Sequence, residues 1–306
     1  MPADLLLPIP GERGLASHDV ALLAEGYLGA WDAFIDLTAE VDLDAPSRLE
    51  GWTGRDVLAH LGTWEDQPTM ERLLAEARGT AYAERIDRDA RNASVVARHR
   101  DATRGELVAA LQRARQAVAA FLDSAEATVL GTRRVDSVLG PLPLLAVVGA
   151  ANYELAVHGL DLLPAGVAQV PDQILHAGLG ALVDITGALA ARQEITATVT
   201  GMTPLGGWAF GCVGADWTTV ELPAGPVEGI GVEADAAILL DVSAGRISVP
   251  PLLVRRELRA HGAGGLMALA PIVEAVPGIP GGAALKTAAR YVGGVGRLVQ
   301  RLPGLG

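Results

Sequence analysis

Cysteine is nearly missing. Cys212 is the one cysteine in 306 residues, so no disulfide can close within the chain, a cysteine-based zinc cluster is excluded, and the composition suits a reducing cytoplasm. Aromatic residues make up 4% of a chain that is 50% hydrophobic, so its cores must be built mainly from Ala, Leu and Val, which favours closely packed helices. Lysine is represented by Lys286 alone, a bias to which no mechanism attaches. Positive charge as a whole is short: 24 basic against 36 acidic residues give a formal net charge of −12, which argues against nucleic acid or an anionic membrane surface as the partner. Long apolar runs are absent too. The longest, 138–153, contains Gly-Pro-Leu-Pro and stops at Glu154, too short and too interrupted to span a bilayer. The opening MPADLLLPIPGERG has no basic stretch and breaks its apolar run with Pro8 and Pro10, so no signal peptide is expected. These absences leave a cytoplasmic protein with a small-molecule partner as the expectation; the oligomeric state is not legible.

The length suggests two domains. Val20, Leu23, Tyr27, Trp31, Phe34 and Leu37 recur every three or four residues and predict a first helix over 18–40. Thr53 with Asp56 three residues on forms a capping-box pattern, and Trp52 with Val57 a hydrophobic staple, so a second helix is expected from 53 to 77. Residues 78–102 are charged and weakly periodic. A third helix is expected over 104–122, and a fourth from 144 to 163 after the prolines of GPLP. Four helices in about 150 residues read as an antiparallel bundle. The stretch PAGVAQVPDQ suggests a boundary, giving domains 1–170 and 171–306. In the second, a linking helix over 172–192 precedes the strand-like runs EITATVTG, GWAFGCVG and WTTVELP, then a helix over 234–244, a strand in RRELRAHG and a helix over 266–275, an α+β pattern. A basic, glycine-interrupted amphipathic tail ends the chain.

The segment ANYELAVHGLDLL raises a chemical question. Stepping its core stripe as Val147, Ala151, Glu154, His158 and Leu162 puts a carboxylate and an imidazole in line with apolar neighbours, pointing inward. On the second helix, Val57, His60, Leu61 and Trp64 share a face, so His60 turns to the same interior. A buried Glu is costly unless paired or metal-bound, and an i, i+4 Glu/His pair with a facing His can converge on one ion. A surface pair or a satisfied buried hydrogen bond would give the same spacing. His18, His99, His176 and His261 read as solvated or capping, Cys212 as a small core residue, and Asp87, Asp89 and Asp101 as a solvated face.

GWTGRDVLAHLGTWE and ELAVHGLDL resemble the two signature segments of the mycothiol-dependent maleylpyruvate isomerase family, whose N-terminal half is a DinB-like bundle. The resemblance implies that His60, Glu154 and His158 bind a divalent metal, zinc foremost, and that the metal's open position takes the thiol of mycothiol. It further implies that the thiol adds to a cis double bond of an acidic substrate, the bond rotates, and the thiol is expelled; kept on an electrophile instead, the same thiol would make an S-transferase. IGVEADAAILLDVSAGRISVPPLLVRRELRAHGAGGLMALAPIV resembles the family's sterol-carrier-like C-terminal domain, which implies Arg246 as the arginine that binds substrate. A binding protein that holds an apolar molecule or lipid in its second half is the alternative.

Overall fold

The computed structural model describes residues 6–64, 69–80 and 88–262. Two compact units divide the described residues, one within 16–181 and one of 6–15 with 182–262. Compared with the division expected at 170/171, residues 6–15 join the second unit and the boundary falls inside the linking helix.

The first unit is helical. Helix α1 (Val20–Leu37) buries Leu23, Tyr27, Ala30, Trp31, Phe34 and Leu37, the stripe that the period predicts. Burying a leucine or phenylalanine side chain of this stripe is worth roughly 1.5–3 kcal/mol. Helix α2 is Gly54–Leu61, and α3, Thr69–Ala77, is separate from it. The single expected helix over 53–77 therefore breaks, for a packing reason: a Cβ on Gly62 would lie 2.7 Å from that of Ala110, and the extended backbone there lets Thr63 N–H bond Ala110 C=O at 3.0 Å. Helix α4 (Arg88–Arg98) occupies part of the charged stretch left unassigned. Helix α5, Arg104–Leu122, starts on a second capping box, Thr103 with Glu106. A short α6 (Ala125–Leu130) and a two-residue hairpin, β1 (Arg134–Val135) with β2 (Leu142–Pro143), lead to α7, Leu144–Asp161. Helix α1 packs on α5 and α7, and α2 on α4, α5 and α7. Gly149 lets α7 approach α1: a Cβ there would sit 2.4 Å from the Tyr27 hydroxyl.

Helix α8 (Asp172–Arg192) begins in the helical unit and ends in the other. Among the described residues it is the one helix long and apolar enough to cross a membrane, with mean hydropathy 1.6 in its most apolar window, but 67% of that window is buried inside the protein, as in a core helix.

The second unit is α+β. Strands β3 (Ala197–Thr203), β4 (Gly206–Val213), β5 (Asp216–Leu222), β6 (Gly231–Ala234) and β7 (Leu258–His261) form one mixed sheet in the order β5-β4-β3-β6-β7. Only the β3–β6 pair is parallel. Helices α9 (Ala236–Ser243) and α10 (Val249–Arg255) lie between β6 and β7. The sequence reading missed β6, which is four residues long, and α10, which begins on two prolines at positions where their missing N–H costs little. The helix expected over 266–275 and the basic tail lie outside the described residues.

Candidate metal centre

Two helices assemble the site. At the start of α2, Thr53 Oγ1 accepts the Asp56 N–H, and the Asp56 carboxylate accepts the Thr53 N–H at 2.8 Å, so the cap fixes where the helix begins and His60 falls in its last turn. On α7, Glu154 and His158 share a face one turn apart. Glu154 Oε2 lies 3.4 Å from His158 Nε2 and 3.9 Å from His60 Nε2. The two imidazoles meet edge to face, centroids 5.0 Å apart, and the Trp52 ring meets His60 in the same way at 5.5 Å.

His158 is buried and His60 half-buried, but 48% of the Glu154 side chain is exposed, which corrects the expectation that it points into the core. The stripe that holds Glu154 stands at the rim of the helix packing, so the group opens to solvent on the carboxylate's side. The protein crowded around Glu154 opposes its charge, yet the His158 and His60 imidazoles outweigh that and hold its carboxyl well below the usual range. Burial likewise works against a charged His158, but the carboxylates of Asp161 and Glu154 push it up to about 9.

Asp161 is the residue that sequence reasoning missed. It is wholly buried at the end of α7, and its Oδ2 lies 3.0 Å from His158 Nδ1. A carboxylate only accepts, so Nδ1 carries a proton toward Asp161, and Nε2, turned toward Glu154, carries a second one that an arriving cation would displace. The available signal was an acid one turn after His158 in an otherwise apolar run.

The donor set fits a divalent cation. Two imidazole nitrogens and a carboxylate oxygen, all within 4.8 Å of one another, are ligand types that zinc prefers, and three protein ligands with an open side are the pattern of a site that takes a further ligand. No other group of three His, Cys, Asp or Glu converges in this way among the described residues.

The other singled-out residues go elsewhere. Arg246 lies in the turn after α9 in the α+β unit, its N–H on Asp241 C=O at 2.8 Å. Cys212 is buried on β4, and burial, with the Asp216 charge, pushes its thiol up to about 11. His99, expected to be solvated, stacks on Trp64 at 3.5 Å, its Nε2 enclosed without a hydrogen-bond partner among the described residues. His261 contacts Glu233 at 3.2 Å, Asp101 is exposed, and Asp87 lies outside the described residues.

Residues 27–163 match the family described as "Mycothiol maleylpyruvate isomerase N-terminal domain". The match spans 137 of the 306 residues, so the likeness to that family is a property of this segment of the chain. His60, Glu154, His158 and Asp161 all lie within the matched residues. Two solved structures are similar to the chain: mycothiol-dependent maleylpyruvate isomerase, 18% identical with a TM-score of 0.45, and a histidine-to-alanine mutant of it, 16% identical with a TM-score of 0.49. Each alignment covers 76% of this chain and 92% of the other, and at these scores the likeness adds nothing to the assignment, which rests on the matched domain. No curated protein matches the chain by sequence.

Proposed function

We propose that this chain is a mycothiol-dependent enzyme in which His60, Glu154 and His158 hold a divalent metal, zinc foremost, and that it isomerises a cis double bond in an acidic electrophile such as maleylpyruvate. Transfer of the thiol to an electrophile is the alternative outcome of the same chemistry. The observation that carries the reading is the convergence of three ligand atoms within 4.8 Å inside a domain of this family. When bound, such an ion would lower the pKa of a coordinated thiol, supplying a nucleophile at neutral pH.

The chain's own residues do the positioning. Glu154 stays ionised, and Asp161 holds one His158 proton on Nδ1, so the proton that a bound cation would displace is the one on Nε2. Cys212 is buried, and its thiol, pushed up to about 11, stays protonated at neutral pH, which supports a nucleophile from outside the chain. For the first unit we propose the DinB-like four-helix arrangement of α1, α2, α5 and α7. For the second we propose a sterol-carrier-like fold, supported by its mixed sheet with two short helices before the last described strand. Arg246 is proposed to hold a substrate carboxylate by paired charge-assisted hydrogen bonds.

The test is metal analysis together with an assay of maleylpyruvate and mycothiol. About one equivalent of zinc and turnover only with mycothiol are expected, and Arg246→Ala should weaken turnover while leaving zinc content unchanged. A protein that retains no divalent metal after reconstitution would overturn the reading.

A further inference from the structure

The loop between α1 and α2 folds around a cleft of about 480 Å³ lined by Asp44, Ser47, Arg48, Glu50, Trp52 and Thr53, among others. That volume lies within the range of roughly 300–1,000 Å³ usual for small-molecule sites. The loop is held in shape. Ser47 Oγ donates to Trp52 C=O at 2.9 Å and accepts the Leu49 N–H at 3.1 Å, while the Ser47 N–H bonds the same Trp52 carbonyl at 2.8 Å. It is also tied to the candidate metal centre: the Arg48 N–H bonds the main-chain carbonyl of Asp161 at 2.9 Å, and Trp52, one of the lining residues, sets its ring edge-on to His60. Trp52 thus belongs to the cleft and touches the cluster.

The lining selects a chemistry. Trp52 offers an aromatic ring to the C–H face of a saturated ring. Glu50 is exposed and has no hydrogen-bond partner among the described residues, so both its oxygens are available to hydroxyl donors. Arg48 is the one cation among the lining residues, against the two carboxylates of Asp44 and Glu50, and Asp44 is engaged by Arg55 at 2.7 Å. With Asp44 held by Arg55, Arg48 and Glu50 leave the lining without net charge, and an uncharged polyol meets both donors and acceptors there. Mycothiol carries such a part, because its cysteine arm is joined to glucosamine and inositol.

We propose that this cleft seats the glucosaminyl-inositol half of mycothiol, with Trp52 beneath a sugar or cyclitol ring and Glu50 accepting from its hydroxyls. The inference rests on the proposed thiol dependence and adds where the non-reacting half of the cofactor is held.

The experiment uses the full chain loaded with zinc and measures binding of intact mycothiol, of N-acetylglucosaminyl-inositol, which lacks the cysteine arm but keeps the uncharged amide, and of maltose, by calorimetry and saturation-transfer NMR. Intact mycothiol and the cysteine-free fragment should bind, with transfer to the fragment's ring protons, and maltose should not compete. Trp52→Ala and Glu50→Gln should each weaken both ligands by about tenfold, the scale of one lost stacking contact or charge-assisted hydrogen bond, with zinc content unchanged. Glu50 is exposed, so its variant reports even if Trp52→Ala fails to fold. Intact mycothiol binding while the fragment does not, or Glu50→Gln binding both ligands as the wild type does, overturns the cleft assignment alone. Absence of mycothiol binding to the zinc-loaded wild type overturns the parent reading.

Discussion

Asp184 on α8 and Glu154 on α7 are both carboxylates among apolar helix neighbours, and the chain surrounds them in different ways. Asp184 is 2% exposed, and one of its oxygens accepts three neutral donors: the Leu15 N–H at 3.0 Å, the Trp217 indole N–H at 3.0 Å and the Thr219 hydroxyl at 2.7 Å. Gly14, with φ at +56°, stands beside it, where a Cβ would fall 2.0 Å from that oxygen. Glu154 is half exposed and faces two imidazole nitrogens that are themselves ligand atoms. Donors that stay put whatever the solvent contains hold a fold together. A carboxylate aimed at ligand nitrogens and opened to solvent is one left for a cation to complete.

The first way to break this contrast is Asp184→Ala, which carries the largest effect. Three donors lose their acceptor, and at about 1–3 kcal/mol for each buried unsatisfied group the α+β unit should lose at least about 3 kcal/mol, read as a lower midpoint in urea. Asp184→Asn keeps one acceptor oxygen and should fall between. A wild-type midpoint in the alanine variant would remove the distinction between the two carboxylates.

Next come His60→Ala, Glu154→Ala and His158→Ala. Each should weaken zinc binding by more than about 100-fold, because loss of an outer-sphere partner alone costs 10–100-fold, while the far-UV spectrum stays that of a folded helical unit. Full zinc occupancy in any two of the three would sink the metal assignment.

Asp161→Ala sharpens the comparison from inside the site, because Asp161 is as fully buried as Asp184 but serves a ligand. It should weaken zinc by about 10–100-fold, less than loss of a ligand itself. Asp161→Asn should recover part of that, because an amide oxygen can still accept the Nδ1 proton. A structural role alone would lower the unfolding midpoint in the zinc-free protein and leave the zinc dissociation constant unchanged.

Much of this was legible in local pattern. The helices at 20–37, 104–122, 144–161 and 172–192 follow from apolar period, and the cap of α2 from Thr53 and Asp56, because those signals sit within one or two turns of chain. Face and spacing made His60, Glu154 and His158 candidates and the resemblance of their segments singled them out; the structure brings their three ligand atoms within 4.8 Å of one another. What failed was set by distant contacts. The break of α2 depends on α5 approaching Gly62, and the exposure of Glu154 on how the α7 stripe ends at a rim. The cleft beside Trp52 depends on a connector that returns to the end of α7. No local spacing carries those three facts.

The smallest expected effect tests where the nucleophile comes from. Cys212 on β4 pairs with Ala197 of β3 and Trp217 of β5, is 1% exposed, and its Sγ contacts the Gly214 carbonyl at 3.8 Å. Burial comes first and the Asp216 charge second in raising its thiol to about 11, so the fold favours the protonated form. A group whose folded pKa is raised contributes stability below its unfolded value and loses it as pH climbs toward the folded one, so the unit should weaken above about pH 9. At pH 7.5 the thiolate fraction alone makes iodoacetamide labelling of the native protein at least about 100-fold slower than that of a free thiol, and the rate should climb with pH. Cys212→Ser should leave zinc content and mycothiol-dependent turnover unchanged. Rapid labelling at neutral pH with matching loss of turnover would move the nucleophile into the chain, and Glu154 would then have to be explained without an exogenous thiol beside it.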